Sequence, residues 1–324
     1  MNGLAVLRFR GRRHLDHTLR HARPRVGADA AAAPPSFREG EQPYQVGIGP
    51  TAVTLAPGGS AKVAVRALAL SGGTGPEVRF RVDTPEGIEA SPAEGRVVDG
   101  AREITLSAGE DTPQGFYDVE VAVDSYAQPV FLTVAAPGSL LAAYDGTGIS
   151  DDSGDHDEGD FDGGGWSYSR QALAAAGLSP GGRGRVGDGL GFTWPGSPNG
   201  RPDNASGNGQ TVQLAQPVSQ LAFVGSAVNG DQRARATVTY TDGSTDTVDL
   251  SFTDWTLGGG GGSVRYGNEV VARTPYRNVP GAGREAVATY VFATEPFRAP
   301  AGKAVAGVRL PREPDLHVFT LATR

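Results

Sequence analysis

Glycine and proline interrupt this sequence so often that it cannot form long helices. The chain of 324 residues contains 48 glycines and 23 prolines, and glycine is roughly twice as frequent as the ~7% that is usual in proteins. Both residues disfavour helix interiors and favour turns. Between them the sequence alternates apolar and polar residues, as in EVRFRV and YDVEVAV. This is the period of a strand with one buried face, so the pattern predicts an all-β protein made of short strands.

Composition and charge narrow the classes of function. The net charge is −7. Residues 1–40 alone carry +5, so residues 41–324 carry −12. An acidic body of this kind argues against a nucleic-acid partner. No apolar run approaches the ~18 residues that a membrane-spanning helix needs. The chain has no cysteine, which excludes disulfides and thiolate metal sites.

The spacing of turn signals predicts two β domains behind a tail. Residues 1–44 are basic and then rich in alanine and proline, which predicts a disordered tail rather than a secretory signal, because no apolar segment follows the charges. Residues 45–136 have the length and rhythm of an immunoglobulin-like sandwich. Residues 139–324 predict a jelly-roll-like sandwich of eight to ten strands with one short helix, SYSRQALAAAGL.

Three of the five histidines lie in the tail, at His14, His17 and His21. Spacings of three and four residues would place them near one face of a helix, as in a metal site. A tail that contacts an anionic surface is a further alternative. The flexible tail is the interpretation that we prefer.

The first domain resembles a known accessory domain. The stretch LAPGGSAKVAVRAL, followed by AGEDTPQGFYDVEVAV, is similar to the NEW3-type immunoglobulin-like domain that accompanies bacterial galactosidases and other glycoside hydrolases. The resemblance implies a spacer or scaffold and supplies no catalytic residue.

The second domain carries a longer resemblance. The phrases AAYDGTGISDD, FDGGGWSYSRQALAAAGLSPGG, RPDNASGNGQT, YTDGSTDTVDLSFTDWTLGGG and RTPYRNVPGAG occur in this order. They resemble the C-terminal accessory β-sandwich of actinobacterial family 92 glycoside hydrolases, the α-1,2-mannosidases. The resemblance implies a secreted, extracellular protein that is linked to a glycoside hydrolase catalytic domain. The helical catalytic barrel of that family has no counterpart here, since the sequence has room for one short helix.

An acidic stretch at the start of the second domain has the oxygen-rich composition of a calcium site. Eight carboxylates lie between positions 145 and 162, and calcium takes six to eight oxygen ligands. An EF-hand that begins at Asp151 is excluded because His156 stands where that loop needs glycine. The candidate ligands of an irregular site are Asp145, Asp151, Asp152, Asp160 and Asp162. The alternative is an exposed, solvated acidic loop.

Aromatic residues beside glycine and proline predict a carbohydrate-binding surface. Aromatic rings stack on sugar rings, and arginine can donate hydrogen bonds to the hydroxyl groups. The candidate residues for a polysaccharide or glycan are Trp166, Tyr168, Trp194, Trp255, Tyr276 and Arg277. Tyr266 lies in a similar setting. The alternative for each tryptophan is a place in the core.

Catalysis has weaker support. Paired carboxylates can hydrolyse a glycosidic bond, but the acid must be buried to hold its proton. No G-x-S-x-G motif is present, and His156 and His317 are the two histidines outside the tail. Three hypotheses therefore remain: a non-catalytic carbohydrate-binding module, a structural domain that packs on a catalytic partner, and a fragment of an α-mannosidase-like glycoside hydrolase.

Overall fold

A computed structural model describes residues 44–69, 77–98, 100–124, 126–153, 158–281 and 283–324. These described residues divide into two compact units between Val134 and Ala135. The division lies within two residues of the end that the sequence predicts for the first domain, residue 136. The tail prediction for residues 1–44, with His14, His17 and His21, lies outside the described residues apart from the backbone of Tyr44.

The first unit is an immunoglobulin-like β-sandwich, as the sequence predicts. Its nine strands are β1 (Tyr44–Gly49), β2 (Ala52–Leu55), β3 (Ser60–Ala69), β4 (Glu77–Asp83), β5 (Ile88–Ser91), β6 (Glu94–Val98), β7 (Gly100–Ala108), β8 (Gly115–Val123) and β9 (Tyr126–Val134). One sheet has the order β1-β3-β7-β5 and the other β2-β9-β8-β4-β6. The pairs are antiparallel except for β2 with β9.

Alternation along the strands produces the core of this unit. In β4 the side chains of Val78, Phe80 and Val82 are buried while their neighbours are exposed. In β8 the same holds for Val119 and Val121. Burial of each such side chain stabilises the fold by about 1.5–3 kcal/mol. The two apolar faces meet in one core cluster between the sheets.

The second unit is also almost entirely β. Its strands are β10 (Ile149–Ser150), β11 (Ser167–Ser169), β12 (Arg183–Val186), β13 (Leu190–Thr193), β14 (Ala205–Asn208), β15 (Thr211–Val218), β16 (Gln220–Ala227), β17 (Gln232–Tyr240), β18 (Thr245–Phe252), β19 (Glu269–Thr274), β20 (Arg277–Val279), β21 (Gly283–Glu285), β22 (Thr289–Ala293), β23 (Phe297–Arg298), β24 (Val305–Arg309) and β25 (Arg312–Thr323). The prediction of eight to ten strands missed the many strands of two to five residues, which are too short to show a period.

Three layers of structure build this unit. An eight-stranded sheet has the path β12-β13-β25-β16-β22-β19, with β14 paired to β25 and β23 to β16. A four-stranded sheet, β15-β24-β17-β18, faces it across one core cluster. A small sheet, β10-β11-β20-β21, and the described loops between residues 149 and 194 that lie outside β12 and β13 cover the other face of the large sheet across a second cluster. We call these loops and the small sheet the third layer.

Burial on both faces explains the composition of the central strands. In β16 every residue from Leu221 to Ala227 is buried. Leu221 and Phe223 belong to the cluster between the two large sheets, whereas Ala222 and Val224 belong to the cluster under the third layer. A strand that is covered on both sides loses the polar half of its alternation. The continuous apolar run LAFV therefore marks the centre of the unit.

Helices are short. They are α1 (Leu140–Ala143), α2 (Arg170–Ala175) and α3 (Leu257–Gly260). The sequence predicts α2, and the structure caps it at Ser169, whose hydroxyl accepts a hydrogen bond from the backbone N–H of Ala172 at 3.0 Å. Within the described residues we find no helix with the length and apolar character that crossing a membrane requires.

Candidate functional site

Three of the six residues predicted to bind sugar lie in the core instead. Tyr168 is fully buried, and Trp194 and Trp255 are each 2% exposed. The ring centroid of Phe161 lies 5.0 Å from that of Tyr168 and 5.2 Å from that of Trp255, and the Trp194 ring lies 4.9 Å from that of Phe319. The prediction that these tryptophans are exposed is wrong, because the third layer uses them to cover the apolar face of the eight-stranded sheet. None of the three presents a ring face to solvent.

Trp166, Tyr276 and Arg277, the other three predicted residues, lie on the small sheet and the loops beside it. The guanidinium carbon of Arg277 lies 4.9 Å from the ring centroid of Trp166 and 5.5 Å from that of Trp255. The same guanidinium group contacts Glu285 at 2.8 Å. These are cation–π contacts of ordinary length. They leave one face of the half-buried Trp166 covered by the protein itself.

A similar arrangement surrounds Tyr276. The guanidinium carbon of Arg284 lies 4.9 Å from the centroid of the Tyr276 ring, and the Tyr276 hydroxyl donates a hydrogen bond to Asp152 at 2.7 Å. Arg284 also contacts that carboxylate at 2.9 Å. The aromatic and guanidinium groups therefore form a salt-bridged surface, the alternative to sugar stacking.

The five predicted calcium ligands serve separate local roles. Asp145 accepts hydrogen bonds from the backbone N–H and the hydroxyl of Ser206, both at 2.8 Å, and from Asn208 at 2.7 Å. This carboxylate ties the start of the second unit to β14. Asp151 accepts a hydrogen bond from the side-chain amide of Gln171 at 2.5 Å.

Asp160 and Asp162 stabilise the glycine turn before Trp166. Asp160 accepts a hydrogen bond from the N–H of Gly165 at 2.9 Å, and Asp162 accepts one from that of Gly164 at 3.0 Å. Gly164 lies against the indole, since a Cβ atom there would come within 2.4 Å of the Trp166 ring. The acidic residues thus shape this turn.

The described carboxylates of the acidic stretch do not converge on one point. Across the described residues, no group of three or more acidic or histidine side chains converges on a point where a metal could bind. Asp155, His156 and Asp157 lie outside the described residues. The oxygen atoms of the predicted ligands face different partners. Asp145 contacts Ser206 and Asn208, Asp152 contacts Tyr276 and Arg284, and Asp160 and Asp162 contact the glycine turn.

A buried polar chain, which the sequence did not reveal, joins Asp203, Asn204 and His317. The Asn204 amide nitrogen donates to Asp203 at 2.8 Å and to the carbonyl of Gly146 at 3.1 Å. Its oxygen lies 2.7 Å from Nδ1 of His317. Because the amide oxygen can only accept, His317 carries its proton on Nδ1. Asp203 also accepts from the backbone N–H of Ile149 at 2.9 Å.

Burial shifts the pKa values of Asp203 and His317, the two titratable groups of this hydrogen-bonded network. Desolvation raises the pKa of Asp203 from 3.8 to about 7, although its hydrogen bonds and the charge of Arg170 act in the opposite direction. Desolvation lowers the pKa of His317 from 6.5 to about 4. Asp203 is 1% exposed, so a substrate could not reach it. The hydrogen-bonded network of Asp203, Asn204 and His317 is therefore a structural connection inside the core.

An exposed aromatic residue lies elsewhere, at Tyr266. At 39% exposure it is the most exposed aromatic side chain in the described ranges. The N–H of Asn268 donates to the carbonyl of Arg265 at 3.0 Å, and φ is +56° at Tyr266 and +67° at Gly267. Positive φ at both central positions defines a type I′ turn, which favours Asn-Gly over a bulky residue. Such strain is concentrated at functional sites.

The turn is fixed at its base. The side-chain oxygen of Asn268 accepts hydrogen bonds from the N–H of Thr253 at 2.9 Å and from its hydroxyl at 3.0 Å. The side-chain nitrogen donates to the carbonyl of Ser251 at 3.0 Å. Asn268 is buried. The position of Tyr266 is therefore preorganised, although the glycine run at 258–262 predicts a mobile surface loop.

A groove of about 340 Å³ runs beside this turn. We call it the Tyr266 groove; its principal lining residues are Arg233, Arg235, Asp249, Tyr266, Glu295 and Phe297. Arg235 and Asp249 lie 3.9 Å apart. Within the described part of the chain, Arg233 and Glu295 have no ion-pair partner. The volume is at the lower end of the range for ligand pockets.

The groove has the chemistry of a site for a small polar ligand. A tyrosine ring provides an apolar face, while guanidinium groups donate hydrogen bonds and carboxylates accept them. Two positive and two negative side chains balance, which suits an uncharged ligand with many hydroxyl groups. Tyr266 has the aromatic, loop-flanked setting of the predicted residues, but the sequence could not show which of these side chains are exposed.

Comparisons with known proteins assign no family. No protein-family model and no curated protein matches the chain. Among solved structures, the C. elegans MSP family member WR4 aligns with a TM-score of 0.25 and 12% identity, covering 28% of this chain and 97% of that one. Domains 4 and 5 of the S-layer protein SbsC align at 0.24 and 15%, covering 28% and 51%. PapD-like domain 7 of human CEP192 aligns at 0.21 and 13%, covering 35% and 99%. Alignments at these TM-scores carry no argument about function.

Proposed function

We propose that this chain is a non-catalytic accessory module of extracellular carbohydrate degradation and that it binds a glycan in the Tyr266 groove. The observation that carries the proposal is the exposed Tyr266 ring. It lies on a strained turn, which the buried Asn268 holds in place, beside a groove whose positive and negative side chains balance. A ligand that meets a preorganised aromatic group loses little conformational entropy in ordering it. The first unit would act as a spacer.

The resemblance of the second unit to the accessory sandwich of family 92 glycoside hydrolases supports the same proposal. It rests on phrases spread over nearly all of residues 139–324. In this interpretation the partners are a polysaccharide or glycan and a glycoside hydrolase catalytic domain, and the location is extracellular.

The geometry gives less support to an enzyme. A glycosidase acid must be buried to keep its proton near neutral pH. Asp249 and Glu295 of the groove are both exposed. Asp203 has the raised pKa that an acid needs, but it lies in the core. A hydrolase fragment is therefore the weakest of the three hypotheses.

Burial of Trp194 and Trp255 favours a second candidate function, a structural domain that packs on a catalytic partner. A sugar-binding surface built from tryptophans would need exposed rings, and these two are in the core. Val264 and Val270, which precede and follow Tyr266 in sequence, are exposed apolar residues that such a partner could cover.

A glycan array probed with the whole chain separates these functions. We expect binding to at least one neutral oligosaccharide and its loss in Tyr266→Ala. Val264→Ala is the matched control, because Val264 is an exposed apolar residue two positions away that does not line the groove. Equal binding by Tyr266→Ala, or no binding by the parent protein, would contradict the groove proposal. The second outcome would leave docking on a catalytic domain as the function to test by co-purification.

A further inference from the structure

The eight-stranded sheet is wider than the sheet that faces it. The core cluster between the two sheets takes no residue from β12 or β13, both of which are fully described. Arg185 pairs with Gly191, Gly191 with Thr323, and Thr323 with Leu221, so these residues share one face of the sheet. Leu221 is buried under the four-stranded sheet, whereas Arg185 and Gly191 are exposed. The outer two strands therefore extend beyond the sandwich core.

The exposed face of this extension is basic. Arg183 and Arg185 are two residues apart on β12, about 6.6 Å along the strand, and both point away from the third layer. Thr193 lies opposite Arg183 and Gly191 opposite Arg185. The principal residues of the resulting open groove of about 800 Å³ are Arg183, Arg185, Gly191, Thr193, Leu321 and Thr323. We call this surface the arginine platform.

No carboxylate lines the platform, which is unusual in a unit with so many acidic residues. Six other arginines of the second unit pair with a neighbouring acid, whereas Arg233 of the Tyr266 groove does not; the six are Arg170, Arg235, Arg265, Arg277, Arg284 and Arg298. Neither the Arg183 nor the Arg185 guanidinium group has an ion-pair or hydrogen-bond partner within the described residues. Asp188, at the tip of the β12–β13 hairpin, forms an ion pair with Arg298.

Protection of a sheet edge would explain one charge on β12 but not this arrangement. Charged residues on edge strands prevent pairing with other chains. Here two guanidinium groups share a face with the hydroxyl groups of Thr193 and Thr323. Gly191 leaves the space between them open, because no atom lies within 4 Å of the position of a Cβ atom there. Guanidinium and hydroxyl donors around an open trough match the oxygen atoms of an anion.

We propose that the arginine platform is a second binding site, which takes the carboxylate or sulfate groups of an acidic polysaccharide. The anion site stands on its own geometry, and only the choice of a polysaccharide rests on the proposed function. The two sites then bind sugar residues of different charge. The Tyr266 groove binds uncharged sugar residues, and the platform binds acidic ones.

Binding of size-defined heparin and oligogalacturonate fragments to the whole chain tests the proposal. We expect Arg183→Glu/Arg185→Glu to weaken binding to at least one of them by about tenfold or more, because two attractions become repulsions. We expect added salt to weaken the binding of the parent protein. Arg66→Glu/Arg102→Glu is the matched control, since it makes the same change of charge at exposed strand positions of the first unit.

The failures of the two proposals can be told apart. Tyr266→Ala should retain binding to the acidic fragments, and the platform variant should retain binding to a neutral oligosaccharide. Equal loss of acidic-fragment binding in the control variant would show that net charge alone is responsible and would overturn the platform. Parent protein that binds neither acidic fragment, or that binds single-stranded DNA as tightly, would overturn it as well.

Discussion

The side-chain oxygen of Asn268 accepts two hydrogen bonds from Thr253, one from the backbone N–H at 2.9 Å and one from the hydroxyl at 3.0 Å. This pair joins the end of β18 to the turn that carries Tyr266. Since Asn268 is buried, water cannot replace these bonds at low cost. The exposed ring therefore rests on an internal support and not on the glycine run that precedes it.

Replacing Tyr266 by asparagine should raise stability and abolish glycan binding. Asparagine tolerates the left-handed conformation, which costs an L-residue with a large side chain about 1–2 kcal/mol. We expect the free energy of unfolding of Tyr266→Asn to rise by up to ~1 kcal/mol, as measured by denaturant unfolding of the whole chain. A variant that loses stability together with binding would show that the ring supports the fold.

Replacing Asn268 by alanine should weaken binding although Tyr266 is unchanged. The buried N–H of Thr253 and the carbonyl of Ser251 would both lose a partner. An unsatisfied buried group costs ~1–3 kcal/mol, so we expect a loss of stability of that size. Glycan affinity should fall with it at temperatures where the variant is still folded. Unchanged affinity would show that the turn does not need this support.

The pKa values of Asp203 and His317 predict opposite contributions to stability with pH. The folded protein holds the Asp203 proton more tightly than the unfolded chain does. The contribution of Asp203 to the free energy of unfolding therefore falls as pH rises from about 4 to about 7. The folded protein holds the His317 proton less tightly than the unfolded chain does. The contribution of His317 to the free energy of unfolding therefore falls as pH falls from 6.5 to about 4.

Single variants should separate the two slopes. Relative to the parent protein, Asp203→Asn should gain in free energy of unfolding as pH rises from 4 to 7. His317→Gln should gain relative to the parent as pH falls from 6.5 to 4. Urea unfolding at several pH values measures both differences. Variant curves that run parallel to the parent curve would contradict the assigned shifts.

Trp255→Ala should unfold the third layer rather than remove a binding group. Its ring packs against Phe161 and Tyr168 at 5.2 and 5.0 Å, and a cavity of this size costs ~3–5 kcal/mol. Trp166→Ala removes a half-buried ring and should cost less. Thermal unfolding compares the two. Equal and small losses would mean that Trp255 is not part of the core.

Calcium should leave the melting temperature unchanged. The carboxylates at 145, 152, 160 and 162 already accept hydrogen bonds from the protein. We expect the same melting curve with calcium chloride and with EDTA. A rise in the melting temperature with calcium would show that acidic side chains rearrange around a metal.

Local patterns were enough to predict much of the fold. The hairpin of β17 and β18 follows from alternating residues on both sides of Asp242-Gly243, and its register runs from Gln232–Phe252 to Thr239–Thr245. Helix α2 follows from its serine cap and apolar face. These features depend on neighbours in sequence, so a single sequence carries them.

The candidate site was harder to predict because exposure is a tertiary property. Trp194 and Tyr266 both stand beside loop residues in sequence, yet one is buried and the other exposed. The difference arises because the third layer folds over a sheet most of whose strands come later in the chain. The His317–Asn204 contact, between residues far apart in sequence, was equally invisible to local patterns.

The third layer has a consequence for how this unit can be inherited or transplanted. A gene fragment that began at residue 200 would still encode β16, β22 and all of β25, yet it would expose much of one apolar face of the sheet. Such a product would aggregate before it could be selected for any activity. Recombination can therefore move this unit between proteins only as an intact cassette that begins near residue 135, in which the apparently dispensable leading loops act as an inseparable cover.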